Sequence, residues 1–175
     1  MVGTIANDVE NWLQAMYTEM DKLLKPINTS QTQTSFIVRG INEQNLWNFV
    51  RERNLEDTFK SEHSRIAEGH KFSFRFYECE KYLMDVILRW HSEDPVAKSS
   101  ETYSASQCWT AKIEVRVQYL DDNGNAMLRN PSKKFLTVDQ ASGTVGRSRN
   151  DTSLHAHIPL VDDHGSLRRS PPAVP

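Results

Sequence analysis

The chain has 175 residues, 38% of them hydrophobic and 25% charged, with a formal net charge of −2. That length suits one domain with a core of its own, and the near-neutral charge excludes a global drive toward nucleic acid or acidic lipid, so such binding needs a local patch. Cys79 and Cys108 lie far apart and outside any C-x-x-C spacing, which excludes a disulfide framework and a cysteine-built zinc site and predicts small buried hydrophobes in a reducing compartment.

The start, MVGTIANDVENW, lacks a basic segment followed by an apolar run, so no signal peptide is expected. No stretch reaches the roughly 18 apolar residues of a membrane span. Asn28-Thr29-Ser30 and Asn150-Asp151-Thr152 match the glycosylation sequon, which without secretion means little. The expectation is an intracellular protein, cytoplasmic or nuclear, that does not engage a membrane.

Val9, Trp12, Leu13, Met16, Tyr17, Met20, Leu23 and Leu24 recur at three- and four-residue intervals and predict a first helix. Asn7 and Glu10 have capping-box spacing, and Pro26 stops the run. Such an aromatic and methionine stripe predicts core packing, with a second chain as the alternative partner. A polar link, NTSQTQT, leads to a short strand in SFIVRG. Asn42 then caps a second helix, with Ile41 and Leu46 stapled across the cap and Leu46, Trp47 and Val50 on its buried side. Residues 54–68 are weakly helical, with Leu55, Phe59 and Ile66 on one side and Gly69 ending the run.

HKFSFRFY alternates as a strand with one wet face: Phe72, Phe74 and Phe76 point one way, Lys71, Ser73 and Arg75 the other. A third helix is expected across CEKYLMDVILRWHSED, burying Leu83, Val86, Ile87 and Trp90 before Pro95 and a polar loop. In WTAKIEVRVQY, Trp109, Ala111, Ile113, Val115, Val117 and Tyr119 alternate with Thr110, Lys112, Glu114, Arg116 and Gln118, giving the longest strand. DDNGN supplies the positive φ of a tight turn, KKFLTV returns, and a loop with Gly and Ser precedes a last strand in TSLHAHIPLV. The Pro-rich tail GSLRRSPPAVP is expected to be extended or disordered unless a partner holds it.

This order predicts an α+β fold: an antiparallel sheet concentrated in the C-terminal half, about three helices packed on one face, and the other face polar or partner-covered. The domain is expected to span residues 1–164 and the flexible tail 165–175. The element order resembles that of the NTF2-like cone, a curved sheet cradling helices, which implies fold and not function.

Two candidate chemistries follow. His155 and His157 flank Ala156 in the last strand and share a face with Ser153. A His-hydrophobe-His strand resembles the one on which HUH endonucleases present metal ligands, which implies a metal-dependent nuclease or hydrolase. Those enzymes also use a nucleophilic tyrosine; none follows the pair here, and Tyr119 is the nearest upstream. Pro159 predicts an edge strand, and the side carrying Ser153 and Pro159 is composed like a solvent face. His164, Asp162 and Asp163 are the groups that would complete a metal site.

Between residues 126 and 150, Arg129, Lys133, Lys134, Arg147 and Arg149 face only Asp139, and Gly and Ser lie among them, as a phosphate backbone requires. Lys112 and Arg116 extend this patch if the long strand pairs alongside. Aromatic platforms for stacking bases are few on the polar faces. No G-x-S-x-G, P-loop or G-x-G-x-x-G occurs, and Glu78 and Glu80 sit at helix-start spacing, where a helix dipole accounts for them.

The expectation that follows is a non-enzymatic binding or assembly protein, oligomeric, without a cofactor. It would act through protein–protein contacts at the polar sheet face, the loops around 95–107 and 139–151, and the tail. A nucleic-acid binder using Arg129, Lys133, Lys134, Arg147 and Arg149 is the alternative, and a metal enzyme using His155 and His157 the second.

Overall fold

In the computed structural model the N-terminal apolar stripe forms α1 (Val2–Asp21), which tightens into a 3-10 turn at Lys22–Leu24. The structure describes residues 2–24, 40–60, 68–94, 107–127, 132–139, 144–148, 156–164 and 166–171. The helix begins at Val2, so Asn7 lies inside it and is not its cap. Val9, Met16, Tyr17, Met20, Leu23 and Leu24 are buried, as the spacing predicts.

Strand β1 (Ile41–Asn42) runs directly into α2 (Glu43–Glu52). Asn42 is the N-cap: its side chain accepts from the Gln44 N–H at 2.9 Å, satisfying a donor that the first helical turn leaves open. Ile41 and Leu46 are both fully buried across that cap. Asn54, at φ 53, ends the helix in the left-handed conformation, and the Leu55 N–H closes back on the Val50 carbonyl. Residues 55–60 are therefore not helical. The local bonds of Asn54 and Asp57 outcompete a weak apolar periodicity there, and residues 61–67 lie outside the described set.

Five further long or short strands make the sheet with β1: β2 (Gly69–Glu78), β3 (Tyr82–His91), β4 (Thr110–Tyr119), β5 (Ser132–Val138) and β6 (Val145–Ser148), joined by a sixth, β7 (Ile158–Val161). The order is β1-β7-β4-β3-β2, with β5 pairing β4 and β6 pairing β5. All pairs are antiparallel except β1 with β7. The fold is thus mixed α+β and mostly strand, a curled sheet of seven strands with two α-helices among the described residues. No described helix is long and apolar enough to cross a membrane.

The third expected helix is β3. Leu83, Val86, Ile87 and Trp90 fit a helical stripe, but Tyr82, Met84, Val86, Leu88 and Trp90 fit a two-residue period equally well, and each of these is at most 1% exposed. Pairing with β2 on one side and β4 on the other satisfies the whole backbone of a segment whose two faces are both partly apolar. Glu78 consequently ends β2, and Glu80 lies in the connecting turn and not at a helix start.

Both helices pack on one face of the sheet. Trp12 of α1 stacks on Tyr77 at 3.8 Å, and the Tyr82 hydroxyl donates to Asp8 at 2.5 Å; burial and that carboxylate hold the hydroxyl well above its ordinary pKa. Trp47 of α2 meets Trp90 edge-on at 5.2 Å and Phe72 at 5.9 Å. A register shift between Arg75 and Tyr77 lets Phe76 and Tyr77 both reach Trp12. Arg53, stacked on Phe49 at 3.5 Å and bonded to Glu19 at 3.0 Å, ties α2 to α1.

The long strand and its turn form as expected. Gly124 takes φ 80 while Asp121 accepts from the N–H groups of Asn123 and Asn125. β7 is no edge strand: it lies between β4 and β1, and Pro159 is buried opposite Thr110. Gly40 makes that fit possible, since a Cβ there would stand 2.5 Å from the Pro159 carbonyl oxygen. The first tail residues, 166–171, are extended and bonded to the sheet: the Trp109 N–H donates to the Arg168 carbonyl at 3.0 Å and the Arg168 N–H to that of Leu160 at 2.9 Å. Residues 172–175 lie outside the described set.

Candidate binding face

Strand alternation divides β2–β5 into two surfaces. The inner one meets the helices. The outer one carries Lys71, Ser73, Arg75 and Glu78 from β2; Leu83, Asp85, Ile87, Arg89 and His91 from β3; Lys112, Glu114, Arg116 and Gln118 from β4; and Lys133, Phe135 and Thr137 from β5. No described helix covers it.

The register places these groups in rows. Arg89 stands opposite Lys71 on one side and opposite Lys112 on the other, so three cations cross three strands side by side. Neighbours in such a row are about 5 Å apart, and like charges directly opposite are destabilising by several tenths of a kcal/mol per pair. A second row, Arg75–Asp85–Arg116–Lys133, mixes the signs. Arg75 Nε donates to Asp85 at 2.7 Å and its Nη1 to Glu78 at 3.2 Å, while Arg116 Nε bonds Glu114. The three carboxylates of the face are therefore engaged by Arg75 and Arg116. Six cations against three carboxylates make this face positive in a chain of net charge −2.

Leu83 and Ile87 lie half-buried between the charges, and Arg89 is exposed. Phe135 is nearly buried, with the Lys112 ammonium 5.5 Å from its ring centre. At the end of the face His91 Nδ1 lies 2.7 Å from the Ser92 carbonyl, which requires that nitrogen to be the donor. Burial holds His91 below its ordinary pKa, and the positive charges of Arg89 and Lys112 push the same way against Ser92 and Asp94.

The predicted site residues are dispersed. Lys133 is exposed on the outer face opposite Arg116, whereas Lys134 stands opposite Val115 on the inner side. Arg147 also turns inward: its guanidinium lies 4.0 Å from the Tyr17 ring centre and 3.6 Å from Asp21, and its Nε is buried without a hydrogen-bond partner among the described residues. Burial raises the Tyr17 hydroxyl above its ordinary pKa even with Arg147 opposing. Arg129, Arg149 and His155 lie outside the described residues, as does most of both expected contact loops. His157, half-buried, immediately precedes β7. Among the described residues no group of three or more His, Cys, Asp or Glu is placed to hold a metal ion. Of the two β4 cations that were to extend the patch, Arg116 stands opposite Lys133, and the β4–β5 register does not reach Lys112.

Sequence reasoning missed two groups. Arg89 was hidden by the helical period assigned to β3. Asp57 was hidden by the weak helix assigned to 54–68, and its partner His70 opens the strand read in HKFSFRFY. Asp57 Oδ2 meets His70 Nδ1 at 2.7 Å, and its Oδ1 accepts from the N–H groups of Phe59 and Lys71 at 3.0 Å each. Burial would raise this carboxyl, but those donors hold it below the ordinary carboxylate range. The His70 ring lies 4.7 Å from that of Trp47 and 5.3 Å from that of Trp90, so the pair fastens the loop after α2 to the aromatic inner face. An Asx turn at D-T-F was the one signal available. Cys108 is buried, and burial with Glu93 nearby pushes its thiol up to about 11, so it is protonated at neutral pH; Cys79 is half-buried, and both thiols are free.

No protein-family model, curated protein sequence or solved structure matches this chain.

Proposed function

We propose that the protein is a non-enzymatic binding protein whose outer sheet face engages an acidic, extended segment of another protein chain. The row Lys71–Arg89–Lys112 carries this reading. Opposite charges at directly opposed positions stabilise a sheet, whereas this row sets cation beside cation across three strands, an arrangement that complements an acidic partner. The half-buried Leu83 and Ile87 beside the row suit a partner that also carries apolar side chains.

A second copy of the same chain is disfavoured at this face, because a two-fold contact sets a net positive surface against itself. Assembly is accordingly with a different, acidic chain. Nucleic acid is less suited: Phe135 is almost buried and Tyr77 is stacked on Trp12, so no described aromatic is offered on this face for base stacking. We infer also that the architecture follows the NTF2-like cone, supported by a curled sheet with both helices on one face; an experimental structure of the whole chain tests it.

Fluorescence anisotropy with a labelled peptide alternating glutamate and leucine tests the functional reading. Binding is expected to weaken with added salt and to fall at least tenfold in Arg89→Glu. An oligonucleotide bound tightly in preference to the peptide transfers the face to the nucleic-acid reading. Peptide binding indifferent to Arg89→Glu overturns the proposal.

A further inference from the structure

We propose that Ser170 is a phosphorylation site for a proline-directed kinase, and that phosphate on its Oγ releases the C-terminal segment 166–171 from the sheet. Ser170 is followed by Pro171, preceded by Arg168 and Arg169, and exposed. Its hydroxyl is the clasp of the segment. Ser170 Oγ donates to Glu93 Oε2 at 2.7 Å, the Ser170 N–H donates to Glu93 Oε1 at 2.7 Å, and the Trp109 indole Nε1 donates to Ser170 Oγ at 3.0 Å. A serine thus sits with its side-chain oxygen in contact with the carboxylate of Glu93, two residues beyond the end of β3.

In the modification, Oγ attacks the γ-phosphorus of a nucleoside triphosphate. The new O–P bond forms as the bridging P–O bond breaks, the nucleoside diphosphate leaves with that electron pair, and the hydroxyl proton passes to the kinase base. The product replaces a neutral donor by a group of nearly two negative charges with no proton to give Glu93. Burial raises the Glu93 carboxyl, but the two Ser170 donors and Arg168 hold it below its ordinary range, so it is ionised at neutral pH and repels the phosphate.

Arg168 and Arg169 attract the same phosphate, but they travel with the segment. Such local pairs form equally in the docked and the released state and cancel, whereas the repulsion from Glu93 exists only when docked. Arg168 is moreover committed elsewhere, 2.6 Å from Glu43 and 3.6 Å from the Trp109 ring centre. Release uncovers Trp109, now 2% exposed, and removes the Ser166–Arg169 wall of a groove of about 570 Å³ beside the start of α2. This switch stands independently of the sheet-face reading.

The test is hydrogen exchange by NMR on the full chain before and after treatment with a proline-directed kinase and ATP. The Trp109 indole N–H and the Arg168 amide are expected to exchange about tenfold faster or more in the phosphorylated chain, with Ser170→Ala giving a smaller change. In Glu93→Gln, phosphorylation is expected to change exchange little, because the repelling charge is gone. A kinase that modifies a free peptide of residues 164–175 but not Ser170 in the chain overturns the proposal. So does exchange that phosphate leaves unchanged or slows, or accelerates equally in Glu93→Gln.

Discussion

Within β3 alone, alternate residues have been given opposite tasks. Tyr82, Met84, Val86, Leu88 and Trp90 are shut against helices and neighbouring strands, while Asp85, Arg89 and their neighbours on the other side form rows of charge. The inner face is packed by its own chain: aromatic meets aromatic and Tyr82 finds Asp8, although Tyr17 Oη, Trp90 Nε1 and Arg147 Nε are buried without a hydrogen-bond partner among the described residues. The outer face instead sets cation beside cation along Lys71–Arg89–Lys112 and is positive as a whole. The two faces therefore separate stability from recognition, and substitutions a single residue apart should fail in different ways.

The largest effect is expected from Trp90→Ala, which empties the centre of the inner face and should cost about 3–5 kcal/mol. Urea denaturation followed by circular dichroism reads it, and any loss of binding should track unfolding. Asn42→Ala removes the α2 cap and should cost about 1 kcal/mol by the same assay. Acid should weaken the fold through the outer face. His91 is held below its ordinary pKa, so as pH drops below about 6.5 the unfolded state takes up a proton that the folded state refuses, and stability declines. The urea midpoint should fall between pH 7.5 and 5.5, by less in His91→Gln. The smallest stability change belongs to Arg89→Glu, which sets a carboxylate between Lys71 and Lys112 and should leave the midpoint unchanged or raise stability by a few tenths of a kcal/mol. That variant is nevertheless the one expected to lose the partner.

The inner face was largely legible in the sequence. The α1 stripe, the Asn42 cap with Ile41 and Leu46, the alternation of β2 and β4 and the DDNGN turn all form, because each rests on local periodicity or turn chemistry. The outer face was legible only in halves. Lys71 and Lys112 were assigned to polar strand faces, but Arg89, which joins them, fell in a segment whose apolar residues satisfy helical and strand periods alike. Only pairing with both neighbours decides such a segment, and pairing is not written locally. The same limit explains β7, where Pro159 argued for an edge and a two-residue strand, β1, supplies the missing neighbour. Arg147 looked like a surface cation in a loop, yet the β6 register turns it onto Tyr17.

The most direct test of the division between the faces is a heteronuclear NMR titration of the chain with the alternating glutamate–leucine peptide. The account predicts that shifts concentrate on Lys71, Ile87, Arg89 and Lys112, with the inner-face amides of Met84 and Leu88 following only weakly, and that Arg89→Glu abolishes them. Shifts confined to α1 or α2, or none at peptide excess, would contradict it.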